Sequence, residues 1–474
     1  MNIKFACCGL FLAVLPIHAA LLSPADRESI EQQQRDLLQQ QQIQRDELEK
    51  GQTISEPPPA PTDSGDQPCF TISTINIHQA THLSASNQQA LTKPFIGKCL
   101  GIQKVTLLVQ EISDTSIERG YITSRAFLPE QDLSRGELNI MVMEDKLDEI
   151  QLDKRSNRIL AMAFPGLKGK ILNLRDIEQG MEQINRLRQT PVQIEILPAA
   201  QPGYSIVNLT ATPEFPLSAG IGFDNSGQKS TGTGQVNGSL TANNLLGIAD
   251  QWFVSGAQSS DFSSSHDARS LQAGVSLPYG YWLLNYSYSY SDYLSTVNSQ
   301  EFGWRSTGDS QTHRMNLSRV LFRKGDIKTA LSAGISRNLG RNYLNDAPLA
   351  SSSRKLSNLN VGINHSQKML GGLSTLNPTF SRGVPWLGAE DDRHKPEDAP
   401  KAEFSKWSLS GSYYAPVSQK VTFLSSASGR YAARCQRQNG AAQQRSCRRT
   451  GGKCAGNAAC WQPSCAVDDA QQHR

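Results

Sequence analysis

The chain has 474 residues, 47 Lys and Arg against 43 Asp and Glu, and a formal net charge of +4. So small a charge, carried by scattered basic residues, leaves no footprint of nucleic-acid binding. A hydrophobic fraction of 38% is low for a chain that must bury several large cores.

The N-terminus carries Lys4, a short apolar run from Phe5 to Ile17 and then His18-Ala19-Ala20, which is the layout of a secretory signal peptide over residues 1–20. Cys7 and Cys8 lie inside it and read as small apolar residues, since no lipoprotein-like pattern surrounds them. No later stretch reaches the roughly 18 apolar residues that a membrane-spanning helix needs. Spanning helices are therefore excluded.

Residues 21–50 predict a helix. Ser23 is a capping residue, Pro24 fits a first turn, and Asp26 suits the positive helix end. Its large apolar residues are only Ile30, Leu37, Leu38, Ile43 and Leu48 among Gln, Arg, Asp and Glu. From pattern alone it is either a solvated or coiled-coil segment or a polar rod for a polar cavity. The Pro-rich stretch in 51–67, Glu56-Pro57-Pro58-Pro59-Ala60-Pro61, reads as an extended tether.

From Cys69 the pattern turns to a compact α+β unit over 68–144. A strand runs from Phe70 to Ile77, helices from about Ser84 to Phe95 and from Ile102 to Gly120, and strands near Tyr121 to Phe127 and Glu137 to Met143. Cys69 and Cys99 are the only cysteines of this exported unit, so a disulfide between them is expected. A second unit of the same order fills 145–213, with strands at Leu147 to Leu152, Pro191 to Leu197 and Tyr204 to Thr212 around helices near Ser156 to Phe164 and Leu174 to Leu187. Each unit offers sheet edges and helices to a partner, the bland alternative being edges merely protected by polar side chains.

Beyond Leu217 helical periodicity ends. In 214–432 short alternating segments recur, with Leu271, Ala273, Val275 and Leu277 set against Gln272, Gly274 and Ser276, and Trp407, Leu409 and Tyr413 against Ser408, Ser410 and Ser412. One face is apolar and the other carries Ser, Gly, Asn and Thr in place of Lys and Glu. That suits a lipid face and a crowded aqueous lumen, over eleven or twelve antiparallel strands. Arg319 breaks the pattern, having the parity of Met315 and Leu317, and is tolerable only at a membrane interface. Longer loops are expected near Asn338 to Arg354 and Arg382 to Lys401.

Leu22-Ser23-Pro24-Ala25-Asp26-Arg27, Pro68-Cys69-Phe70 with Cys99-Leu100-Gly101, and Phe164-Pro165-Gly166-Leu167 with Asn185-Arg186-Leu187, in this domain order, make the chain resemble the outer-membrane transporters of two-partner secretion. These form the branch of the Omp85 superfamily that exports haemolysins, adhesins and contact-dependent inhibition toxins. The resemblance implies two POTRA units in the periplasm followed by an antiparallel transmembrane β-barrel of the outer membrane, sixteen-stranded in the family. It further implies an N-terminal helix that plugs the pore, and recognition of the N-terminal secretion domain of a large exported partner. Outer-membrane lipid and the barrel-assembly machinery would be further partners, and no cofactor or enzymatic activity is implied.

The family's Arg-Gly-aromatic pore loop is not found. Arg119-Gly120-Tyr121 has its letters but closes a helix of the first unit. Residues 433–474 instead carry Cys435, Cys447, Cys454, Cys460 and Cys465 among Arg, Gln, Gly and Ala, with no Cys-x-x-Cys spacing for zinc. A disulfide knot would leave one of the five unpaired. The preferred expectation is an out-of-frame peptide in place of the last strands, readable in the nucleotide sequence beyond codon 430. An open sheet would leave lipid-exposed backbone groups without partners, so a secretion-defective chain is expected. His78, His82, His266 and His313 look isolated, and neither a nucleophile elbow nor HExxH occurs. A barrel-assembly factor and a passive porin are the rival functions.

Overall fold

The computed structural model describes residues 34, 38–45, 69–154, 157–299, 302–395, 401–418, 421–432 and 458–465. The expected signal peptide, the tether and most of the tail lie outside them.

In the first unit, strands β1 (Phe70–Ile72) and β3 (Lys98–Leu100) pair antiparallel, while β2 (Thr74–His78), β5 (Glu137–Met143) and β4 (Arg125–Phe127) form a sheet in the order β2-β5-β4. The stretch expected as one strand is thus two. At Ser73 the chain changes partner, and the amides of Ser73 and Thr74 both donate to Gly136 O. Helices α1 (Ala85–Thr92) and α2 (Ile102–Glu118) cover the sheet. Ser84 caps α1 by accepting the Asn87 amide. Ile72, Leu100, Leu108, Ile112, Leu138 and Ile140 make the buried core. Cys69 and Cys99 are disulfide-bonded with Cα atoms 5.3 Å apart, beside the β1–β3 pair.

The second unit has β6 (Lys146–Leu152), β8 (Tyr204–Thr210) and β7 (Gln193–Pro198) in the order β6-β8-β7, with helices α3 (Arg158–Ala163) and α4 (Leu174–Asn185). The parallel β6–β8 pair places Val207 and Leu209 fully inside. Gly180 on α4 makes room for the Phe164 ring, since a Cβ there would sit 2.0 Å from Phe164 Cε1. α3 and α4 can therefore pack closely.

From Leu217 onward the described strands make one antiparallel sheet in sequence order. It runs through β9 (Leu217–Asp224), β10 (Gln235–Asn243), β11 (Gln251–Ser259), β12 (His266–Tyr279), β13 (Trp282–Ser299), β14 (Phe302–Lys324), β15 (Ile327–Leu344), β17 (Arg354–Met369), β18 (Gly372–Gly383), β19 (Ser405–Ser418) and β20 (Val421–Ala432). A short β16 (Ala347–Pro348) pairs with β15, and β21 (Ala458–Cys465) with β20. Among the described residues β9 and β21 each have one neighbour, so the sheet is not closed. β15 runs to Leu344, so much of the loop expected from Asn338 is strand. Its long register with β14 reaches Ser306↔Leu344.

One face of this sheet presents Ile221, Phe223, Leu240, Val254, Leu317 and Ile363 outward, with Ile221 92% exposed. Water-soluble monomers rarely expose so continuous an apolar band, whereas a bilayer is its natural solvent. Arg319 lies at the low edge of the band, its guanidinium 5.0 Å from the ring centroid of its cross-strand neighbour Trp282. The anomalous charge is held by an aromatic residue of the interfacial girdle.

Candidate functional site: the lumen and its periplasmic mouth

The inner face bears short polar side chains that bond one another across strands. Thr375 and Ser412 hydroxyls lie 2.7 Å apart, Asn338 Nδ2 donates to Thr312 Oγ1 at 3.0 Å, and Tyr293 OH donates to Asn342 Oδ1 at 2.9 Å. Against this wall lies the helical segment 38–45. Gln44 Nε2 donates to Asn377 Oδ1 at 3.0 Å and Asn377 Nδ2 returns a bond to Gln44 Oε1 at 3.3 Å. Gln40 Nε2 donates to Asn364 Oδ1 at 2.9 Å, and the Arg45 guanidinium stands 5.3 Å from the Tyr414 ring centroid. Gln41 and Gln44 are buried. The segment thus touches β17, β18 and β19. A cavity of about 430 Å³ remains between Gln39 and the β10–β13 wall, lined by Asn237, Ser255, Gln272 and Ser289.

At the periplasmic mouth, α4 lies on the short turns of the sheet. Glu182 reaches both Arg323 at the end of β14 and Lys328 at the start of β15, each at 2.5 Å. Burial raises the Glu182 pKa, but the charges of Lys328 and Arg323 and their hydrogen bonds outweigh it, so the carboxyl is held below its ordinary range. Arg323 also lies 3.5 Å from Glu178, which pairs with Arg175. Tyr281, in the β12–β13 turn, donates to Asp176 at 2.5 Å, and burial together with that carboxylate pushes its phenol pKa upward. Gln183 Nε2 donates to Gly280 O at 3.2 Å, and the Gly280 amide donates to Met162 O at 2.8 Å. Arg186 reaches Ser276 Oγ and Ala249 O, both at 2.8 Å. Ala249, in the β10–β11 turn, is fully buried within the core of the second unit. Pro165 lies against Gly280 and Phe164 shares a core with Ala249, so Phe164, Pro165 and Arg186, which carried the sequence resemblance, meet at this mouth.

His82 is not isolated. Its ring is buried, with Nδ1 2.5 Å from Glu144 Oε1 and Nε2 2.8 Å from Ser116 Oγ. Burial raises the Glu144 pKa, yet hydrogen bonds from Thr81 and His82 prevail and lower it. The order Ser, His, Glu imitates a hydrolase, but Ser116 is fully buried in α2 and donates to Ile112 O, so no substrate reaches it. Glu144 lies 62 positions from His82 and Arg323 lies 141 from Glu182. No local pattern announces either pairing.

Residues 203–435 match the family model described as haemolysin secretion/activation protein ShlB/FhaC/HecB, residues 70–145 a ShlB-type POTRA domain, and residues 146–198 a POTRA domain. The outer membrane transporter CdiB of Escherichia coli is 55% identical over 412 residues, covering 86% of this chain and 70% of that protein. The chain belongs to this transporter family. CdiB of Dickeya dadantii (strain 3937) is 51% identical, covering 88% of this chain and 75% of its own. The solved structure of CdiB from Escherichia coli superposes with a TM-score of 0.83 at 55% identity, over 87% of this chain and 77% of that one. The transporter is thus a two-partner secretion protein of the outer membrane, with POTRA units in the periplasm and an antiparallel barrel-type sheet in the bilayer. Transporters of this family serve secreted exoproteins.

Proposed function

We propose that this transporter recognises the N-terminal secretion domain of a large exoprotein through the POTRA sheet edges and helices within 68–213, the cargo being a haemolysin, an adhesin or a contact-dependent inhibition toxin. The N-terminal helix is its plug and must leave the lumen before cargo enters. The observation that carries this reading is the seating of Gln40 and Gln44 on Asn364 and Asn377 through neutral amide bonds, which are strong enough to order a helix and weak enough to exchange for water. Outer-membrane lipid is the solvent of the apolar band, and the barrel-assembly machinery is the source of insertion. No cofactor, nucleic acid or catalytic step is needed.

A passive porin has no use for POTRA units docked on its turns, and an assembly factor has no use for a lumen plug. Immobilised full-length chain in detergent micelles should retain the secretion domain encoded by the neighbouring exoprotein gene. Retention of unfolded porin precursors but not of that domain would establish the assembly reading instead.

A further inference from the structure

The two POTRA units touch through a small joint. Gly120 O accepts the Leu174 amide at 2.7 Å, and Asn173 Nδ2 donates to Arg119 O at 3.4 Å. Gly120 has φ +97°, and a Cβ there would stand 2.4 Å from Asn173 Oδ1 and 3.1 Å from Arg175 Cγ. A residue with a side chain would be strained at that φ and would displace the Asn173 carboxamide, which caps α4 and bridges to Arg119 O. On one side the joint is anchored inside the first unit, because the Tyr121 ring lies 4.5 Å from the buried His82 ring. On the other side it ends on α4, whose N-cap is Asn173 and whose remaining length rests on the barrel turns. The joint is therefore rooted in both units.

Beside the joint lies a cleft of about 790 Å³ with walls from both units. The first supplies Thr81, Tyr121 and Met143, and the second supplies Lys146, Lys170 and Asp176. Met143 is 49% exposed and offers an apolar anchor, while ammonium, carboxylate and hydroxyl groups surround it. Cations and carboxylates around one apolar anchor suit a polypeptide, with its alternating backbone donors and acceptors, better than a polyanion or a lipid tail.

We infer that this cleft, beside the Gly120 joint, takes an extended polypeptide segment of the exported partner. The inference rests on the transporter reading above and gives it a place. Binding uses both walls at once, so the angle between the units is part of the affinity.

The test uses the full chain in micelles, the neighbouring exoprotein's secretion domain as probe, and spin labels introduced through an unnatural amino acid at the exposed Lys104 and Lys168. Gly120→Val should broaden the interlabel distance and weaken binding by about tenfold or more. Met143→Ala combined with Lys170→Ala should weaken binding by about tenfold with the distance unchanged. Binding within about twofold of the unaltered chain for the second variant would overturn the inference while leaving the transporter reading intact. So would a broadened distance with unaltered affinity in the first. If the unaltered chain binds no secretion domain, both readings fall together.

Discussion

Glu182 shows what one residue does at the mouth. Its carboxylate is held between Arg323 and Lys328, and all three side chains are between 11% and 13% exposed. Removing one member of such a group leaves the others charged and poorly solvated, at a cost of about 3 kcal/mol or more, whereas replacing the whole group with apolar residues can be neutral. Glu182→Leu should therefore lower the unfolding free energy read from urea titration in micelles by that amount. Combining it with Arg323→Met and Lys328→Met should restore most of the loss, because Glu178 keeps Arg175 as its partner. A single variant as stable as the parent would mean that the group carries no docking energy. By contrast the aliphatic part of the Arg319 pattern was legible in the sequence, down to its need for an interface. What the sequence hid was the Trp282 ring that satisfies it, 37 positions away across the β13–β14 pair.

At the scale of elements, the strands were legible because a period of two survives wherever one face meets lipid and the other a polar lumen. Helices α2 and α4 were legible from their apolar stripes. β3, three residues long, and the break at Ser73 were not, since both are decided by which distant strand supplies the next hydrogen bond. The N-terminal helix was ambiguous for a related reason: a polar helix looks the same whether water or a polar wall surrounds it. Its seat makes a sharp expectation. Asn377 is 4% exposed, so Gln44→Leu strands a buried amide and should reduce helix occupancy by about 1–3 kcal/mol, and Asn377→Leu should do likewise. The double variant should recover much of that loss, because no polar group is then left unpaired. Protease accessibility of residues 38–45 reads the occupancy. Strict additivity of the two single effects would dismiss the amide pair as the seat.

The whole molecule is a chain of bodies joined in two chemically different ways. The first POTRA unit is fixed to α4 by neutral backbone and amide bonds around Gly120, while α4 is fixed to the barrel turns by charges around Glu182 in addition to the bonds of Gln183 and Arg186. Acid acts on the second joint directly, through Glu182, and on the first only through the His82–Glu144 pair behind Tyr121, inside the first unit. Glu182 has its pKa lowered in the folded state, so its contribution is complete above the ordinary value of 4.5 and is lost as pH falls through the lowered folded value. Tyr281, with its pKa raised, stays protonated and keeps donating to Asp176 while that carboxylate is ionised. Lowering the pH from 7 to 3 should thus loosen the second POTRA unit on the barrel turns, where Gln183 and Arg186 still hold it, while the joint at Gly120 keeps its geometry. Two interlabel distances follow this, one between Lys168 and the β17–β18 turn, the other between Lys104 and Lys168. The first should lengthen only below about pH 4.5, and the second should stay constant until the POTRA units themselves unfold. Lengthening of the first distance already near pH 6 would place the sensitive group elsewhere, and simultaneous change in both would mean that the two joints are not independent.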